Sequence, residues 1–209
     1  MSVQYLENQW KSLGPAFDTP GGGSVLEALE KRYSARNRHY HNLNHLESMF
    51  HLYDRHRETL QAPEVVAHSI FWHDTIYKVS RKDNELQSAK LSAQILPGMG
   101  VAAAVISQVE VFIEATKSHL LSANSHPDLA WLLDFDLAIL GAEWGDYEIY
   151  TKQIRKEYRI YPDLLYRPGR LKVLAHFLKR EHLFHTETFR QKYESRARMN
   201  LAREMDTLK

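Results

Sequence analysis

Cysteine is absent from the 209-residue sequence. This absence excludes a disulfide-stabilised scaffold, a cysteine nucleophile and a zinc site built from thiolates. No apolar run approaches the roughly 18 residues that a membrane-spanning helix needs. Residues 1–10 are polar and lack the apolar core of a signal peptide. We therefore expect a cytoplasmic protein that has no membrane partner.

The sequence also lacks an excess of either charge. Its 27 lysine and arginine residues balance 26 acidic residues, which gives a formal net charge of +1. A dedicated nucleic-acid-binding protein would carry a one-sided basic surface, and this balance argues against one. The unusual feature of the composition is histidine, which occurs 12 times.

Helical periodicity dominates the chain, and no alternating strand pattern stands out. The pattern predicts helices over residues 3–13, 24–33, 43–57, 65–77, 83–96, 101–117 and 128–140, followed by three amphipathic helices after residue 146. Residues 18–23 are expected to form a loop, and Ser24 and Glu27 a capping box that opens the next helix. We expect an all-α, single-domain compact bundle of about ten helices over residues 1–209, since a chain of this size suits one domain.

The most apolar stretch, residues 65–77, contains His73 and Asp74 side by side. Apolar residues on nearly every side of this stretch predict a buried helix. Burial of an ionised carboxylate is costly unless the carboxylate is paired or binds a metal. The stretch therefore needs a partner for Asp74, which is either a bound cation or, as a purely structural alternative, His73 itself.

Two further regions place polar residues where they could join such a site. His45 begins a predicted helix, and His41 lies four residues earlier, a spacing that suits metal binding if both are helical. The interior acids of segment 128–140 are Asp134 and Asp136, which point about 200° apart on a helix, so one site uses only one of them. The apolar neighbours on its face favour Asp136. Asp134 is the alternative, with a structural role of bonding backbone or arginine.

Imidazole and carboxylate groups together form a mixed nitrogen and oxygen site. Such donors suit a divalent ion, with Mn²⁺, Fe²⁺, Zn²⁺, Ni²⁺ and Mg²⁺ all compatible. The set of His45, His73, Asp74 and Asp136 would leave two positions of an octahedral ion for water and substrate. Open positions are typical of catalytic metal sites.

The order His45, His73-Asp74, Asp136 on an all-helical background resembles the HD-domain superfamily of metal-dependent phosphohydrolases. Several stretches between about residues 30 and 204 are also similar to a predicted HD phosphohydrolase family of this length. These stretches are residues 38–42, 71–77, 84–89, 134–141 and 197–201. The resemblance implies that the four residues bind the metal, and that Asp74 also holds the water that attacks a phosphate ester. The substrate would be a small phosphorylated compound, with nucleotides among the candidates.

Other residues are candidates for proton transfer and substrate binding. Asn84 and Ser88, which we expect to bind substrate, occupy one helical turn with Glu85 soon after the His-Asp pair. Glu85 would orient or deprotonate the attacking water, or it is simply an acid that stabilises a helix N-terminus. His119 ends an apolar helix and would contact a phosphate or assist proton transfer, or it is a surface cap. Arg38 precedes the first ligand, and its guanidinium suits phosphate oxygens.

Two alternatives to a hydrolase stay open at this point. Some HD-like proteins resemble di-iron oxygenases, and the additional histidines would then hold a second ion. The protein would otherwise be a non-catalytic binding protein whose metal is a structural staple, in which case chelation unfolds it. The amphipathic C-terminal helices are compatible with a homodimer and equally with packing inside one chain.

Overall fold

A computed structural model describes residues 2–208, so the outer bounds of the predicted domain, Met1 and Lys209, lie outside the described residues. Across residues 2–208 all regular secondary structure is helical, and there is no strand. The prediction of an all-α fold is therefore confirmed. Within the same residues, no helix is both long enough and apolar enough to cross a bilayer.

The α-helices are α1 (Ser2–Lys11), α2 (Pro20–Tyr33), α3 (Leu43–His56), α4 (Pro63–Trp72), α5 (Asn84–Ile95), α6 (Ala103–Ala115), α7 (Pro127–Leu137), α8 (Trp144–Glu157), α9 (Asp163–Leu178), α10 (Glu187–Phe189) and α11 (Ser195–Leu208). By its internal contacts the chain divides into two compact units, Met1–Leu132 and Leu133–Lys209. The assignment of the whole chain to one domain stays a prediction.

The first unit is built around α4. Every side chain from Val65 to Trp72 is buried, and α3 and α6 pack against this helix. The ring of Trp10 meets the ring of Phe71 edge to face, with centroids 5.0 Å apart. Full burial of one large apolar side chain contributes about 1.5–3 kcal/mol, so the buried apolar residues of α4 stabilise this unit substantially. The prediction of a buried helix is confirmed for residues 65–72.

The second unit contains a buried ion pair between α9 and α11. Arg170 donates two hydrogen bonds to the carboxylate of Glu204, at 2.7 and 3.0 Å. The hydroxyl of Tyr147 in α8 donates to the same carboxylate. Because the carboxylate and the guanidinium are satisfied by each other and by tyrosine, the charges are tolerated inside the unit. This network joins three helices of the unit.

Several predicted helix boundaries differ from the structure, and two of them change the description of an element. Helix α2 begins at Pro20, not at Ser24, because the side chain of Thr19 accepts a hydrogen bond from the Gly22 amide and caps the helix. The three glycines that were expected to form a loop are therefore helical. The predicted C-terminal helix is interrupted, since residues 190–194 form a π-helix between α10 and α11.

Candidate metal centre

His45 lies in the first turn of α3, and a residue just before this helix fixes where the helix begins. The side-chain oxygen of Asn42 accepts a hydrogen bond from the amide of Asn44, at 2.9 Å, and caps the helix. His45 is 4% exposed. His41 lies before the cap, and its ring stacks on the ring of Tyr77 with centroids 4.3 Å apart. The two histidines therefore do not share a helical face, and His45 is the one buried in the helix.

His73 and Asp74 lie at the end of α4 and not inside it. The helix ends at Trp72, although the amide of His73 still donates to the carbonyl of Ser69, at 2.9 Å. The predicted helix over residues 65–77 is thus too long. In the turn that follows, the amides of Asp74 and Ile76 donate to the side-chain oxygens of Tyr33 and Ser88 in place of helical carbonyls. We call residues 73–76 the ligand turn.

The hydrogen bonding of His73 sets the state of its ring. Its Nδ1 atom lies 2.9 Å from the carbonyl oxygen of Ile70. A carbonyl can only accept, so Nδ1 carries the proton, and in the neutral ring the lone pair is on Nε2. That Nε2 atom is 3.2 Å from the Nε2 of His45 and 3.2 Å from the Oδ2 of Asp74. A backbone carbonyl on the far nitrogen is the usual way to orient a metal-binding histidine.

His45, His73 and Asp136 offer a set of donors that suits a metal ion. One ligand atom from each lies within 4.8 Å of the others. Nitrogen ligands about 2.1 Å from a common ion are roughly 3.0–3.4 Å apart at octahedral and tetrahedral angles. The 3.2 Å separation of the two imidazole nitrogens falls in that range. These three residues are positioned to hold a metal ion, and Asp74 adds an oxygen beside His73.

The alternative acid, Asp134, has a different task. It is fully buried, and its carboxylate accepts hydrogen bonds from the amides of His185 and Thr186, at 2.7 and 2.8 Å, and from the Thr186 hydroxyl, at 2.7 Å. Burial nevertheless raises the pKa of Asp134 to about 6, and these hydrogen bonds oppose that rise. Asp134 therefore holds the backbone before α10, which is the structural role considered for it from the sequence.

The three residues expected to bind substrate all contact backbone near the ligand turn. The Oγ of Ser88 accepts a hydrogen bond from the Ile76 amide, at 3.0 Å. The side-chain amide of Asn84 bonds both the N–H and the carbonyl of Lys78, at 3.1 and 3.0 Å. Arg38 donates to the carbonyls of Asp74 and Thr75 in the ligand turn. Substrate binding by Arg38, Asn84 and Ser88 stays a prediction. Arg38 and Ser88 bind the backbone of the ligand turn, and Asn84 binds the backbone of Lys78 just after it.

Glu85 and His119 were expected to move protons. Glu85 lies in the first turn of α5 and is partly exposed. His119 follows α6 with a φ of +50°, a left-handed conformation that often closes a helix. The group of three potential ligands contains neither residue. The catalytic roles of Glu85 and His119 stay predictions.

Tyr33 is a residue of this region that the sequence analysis missed. Its buried hydroxyl donates to the carbonyl of Phe71, at 3.0 Å, and accepts from the amide of Asp74, at 3.2 Å. Burial raises the pKa of Tyr33, the Asp74 carboxylate raises it further, and the hydroxyl stays protonated. The only signal in the sequence is the helical spacing of the buried residues Leu26, Leu29 and Tyr33, which indicates burial but no partner.

Comparisons of the chain with protein-family models, with curated proteins and with solved structures gave no match. The geometry of the described residues is therefore the basis for a functional assignment, together with the ordered motif that the chain carries.

Proposed function

We propose that this protein is a metal-dependent phosphohydrolase of the HD-domain type. The observation that carries the proposal is the convergence of His45, His73 and Asp136, whose ligand atoms lie within 4.8 Å of one another. The order of these residues with Asp74 along an all-helical chain matches the HD pattern. A mixed nitrogen and oxygen donor set suits a divalent ion.

The electrostatics of the His73–Asp74 contact support a bound cation. With Nδ1 of His73 donating to Ile70, the Nε2 lone pair faces the Oδ2 of Asp74 across 3.2 Å. Two groups that both present electron pairs repel at this distance unless a positive charge lies between or beside them. A proton on either group or a metal ion relieves this repulsion, and the nearby nitrogen of His45 favours the ion because it adds a further donor.

The buried histidines and the partly exposed Asp74 would have different roles in the reaction. A divalent ion, when bound, lowers the pKa of a water molecule and offsets the negative charge that develops on a phosphoryl group. His45 and His73 are almost completely buried, whereas 14% of the Asp74 side chain is exposed. Asp74 therefore reaches the solvent side of the site, where it can orient the attacking water and accept its proton. The proposed substrate is a small phosphate ester.

The test is elemental analysis of the purified protein beside the double variant His73→Ala/Asp74→Ala. We expect about one divalent ion per chain in the wild type and none in the variant, with hydrolysis of a phosphorylated metabolite that requires the same ion. His51→Ala serves as the control, because His51 lies on α3 with an exposed side chain and should leave the metal content unchanged.

Other outcomes would contradict the proposal in distinct ways. Two irons per chain with consumption of O₂ would identify an oxygenase. A bound metal whose chelation unfolds the protein, with no turnover of any phosphorylated compound, would indicate a structural staple. No metal after reconstitution with Mn²⁺ would show that His73 and Asp74 are only part of the core.

A further inference from the structure

We propose that Arg38 is a positioning residue that joins the two segments bearing His45 and His73, so that the affinity for the metal depends on its guanidinium. The inference rests on the proposed function, since it assigns Arg38 a task at that metal site. It also replaces the substrate contact expected of Arg38 from the sequence.

The guanidinium of Arg38 bridges two stretches of backbone. Its Nη1 donates to the carbonyl of His41, at 3.1 Å, and to the carbonyl of Asp74, at 2.6 Å. Its Nη2 donates to the carbonyl of Thr75, at 3.0 Å. His41 lies in the connector that leads into α3, four residues before His45, and Asp74 and Thr75 belong to the ligand turn. One side chain therefore ties the start of α3 to the residues next to His73.

Aromatic rings hold the guanidinium in this position. The Cζ atom of Arg38 lies 4.9 Å from the ring centroid of Tyr33 and 5.4 Å from that of Tyr77. Only 9% of Arg38 is exposed. Contacts of a cation with aromatic faces are stronger when the cation is withdrawn from water. The guanidinium is thus buried and in contact with two aromatic rings, in addition to its three hydrogen bonds, and these contacts restrict where it can move.

Tyr33 completes the hold on Asp74. The Tyr33 hydroxyl accepts a hydrogen bond from the Asp74 amide, and the Arg38 guanidinium donates one to the Asp74 carbonyl. Both backbone polar groups of this residue are therefore bound by side chains from the segment 33–38. These bonds orient the peptide on each side of Asp74 and so restrict where its carboxylate and the neighbouring imidazole can point.

The chemistry of the contact explains why an arginine is needed. Three carbonyl oxygens are bound by two nitrogens of one planar group, and the five N–H donors of a guanidinium have a fixed geometry that a lysine ammonium lacks. A phosphate would compete with these carbonyls for the same nitrogens. The observed bonds therefore favour a positioning role over a direct substrate contact.

Loss of the bridge should weaken metal binding and not merely stability. Without the guanidinium, the connector and the ligand turn can separate, and the 3.2 Å spacing of the His45 and His73 nitrogens is no longer imposed. Changes to groups that orient metal ligands typically cost about 10- to 100-fold in metal affinity. We expect the same range for Arg38→Met, and a similar loss for Arg38→Lys.

The experiment is a titration of the purified 209-residue chain with Mn²⁺, in which electron paramagnetic resonance measures the concentration of free Mn²⁺. Arg155→Met is the matched control. Arg155 also donates to two backbone carbonyls, those of Tyr158 and Tyr161, and lies over an aromatic ring, that of Tyr166 at 4.6 Å. We expect Arg155→Met to lower the melting temperature and to leave the Mn²⁺ dissociation constant unchanged.

The possible results separate this inference from the proposed function. If folded Arg38→Met binds Mn²⁺ as tightly as the wild type, the positioning role is wrong and the metal site stands. If both Arg38 variants bind Mn²⁺ normally but raise the KM for substrate, Arg38 contacts substrate instead. If the wild type itself binds no Mn²⁺, both proposals fail. Should Arg38→Met not fold, Tyr33→Phe removes only the hydroxyl that binds Asp74, and normal Mn²⁺ affinity in that variant and in Arg38→Lys would overturn the inference.

Discussion

The Nε2 atoms of His45 and His73 lie 3.2 Å apart, although 28 residues separate the two histidines in the sequence. Both residues are buried, with 4% and 1% of their surfaces exposed. Two imidazoles at this distance either share a proton or direct their lone pairs at a common cation. A divalent ion that binds here would therefore stabilise the folded chain, because the unfolded chain does not hold the two rings together.

Replacement of His45 by glutamine should abolish that stabilisation. At a free metal concentration 100 times the dissociation constant, an ion that binds only the folded state adds about 2.7 kcal/mol to the free energy of unfolding. We expect the wild type to gain stability of this order from Zn²⁺ or Mn²⁺, and His45→Gln to gain little. Urea unfolding with and without the ion measures the difference.

The matched variant is His51→Gln, on the same helix, whose side chain is 53% exposed. It should respond to the ion as the wild type does. An unchanged response of His45→Gln would remove His45 from the ligand set.

Substitution of Asp134 and substitution of Asp136, the two acids near the end of α7, should have different effects on stability and on metal affinity. Asp134→Asn leaves an NH₂ group facing amide and hydroxyl donors, because Asp134 accepts three hydrogen bonds on its two oxygens. A buried donor without a partner costs about 1–3 kcal/mol, so Asp134→Asn should lose that much stability and keep its metal affinity. Asp136→Asn should instead lose metal affinity and keep most of its stability.

Urea unfolding and Mn²⁺ titration of both variants test this division. Asp18→Asn is the control for stability, since Asp18 pairs with Lys11 at the surface and such pairs contribute about 0–1 kcal/mol. Loss of metal from Asp134→Asn, with Asp136→Asn unaffected, would reverse the assignment of the ligand.

His68 should make the protein sensitive to mild acid. It is completely buried in α4, and within residues 2–208 neither of its ring nitrogens has a hydrogen-bond partner. Burial lowers the pKa of His68 to about 4, whereas an unfolded chain has a histidine pKa near 6.5. The unfolded state therefore takes up the proton first, so the stability is complete above about pH 6.5 and falls as the pH drops toward 4.

Between pH 7 and pH 5, His68 alone should lower the free energy of unfolding by about 2 kcal/mol. In His68→Leu this contribution to the pH dependence of stability should disappear. Urea unfolding at pH 7 and pH 5 measures the free energy of unfolding that is compared. The control is His182→Leu, because the side chain of His182 is 47% exposed. Its free energy of unfolding should fall between pH 7 and pH 5 by as much as that of the wild type. If the free energy of unfolding falls equally in the wild type and in His68→Leu, His68 takes up its proton in the folded protein without a loss of stability.

The sequence by itself determined the features that depend on local pattern. The helical period and the absence of alternating segments predicted an all-α fold, and the apolar residues on nearly every side of residues 65–77 predicted the buried helix α4. The cost of burying charge identified His73 and Asp74 as residues that need partners. The position of His45 at the start of a predicted helix and the apolar neighbours of Asp136 on its helical face made these two residues candidates, and the structure brings both close to His73.

The tertiary structure alone decided which side chains complete the site and where α4 ends. The ligand turn leaves the helix because its backbone is bound by Arg38, Tyr33 and Ser88, and the contact of Arg38 with Thr75 spans 37 residues. Asp134 likewise finds its donors 51 and 52 residues further along the chain. Hydrogen bonds over such separations depend on how the helices pack, and no local pattern in the sequence encodes them.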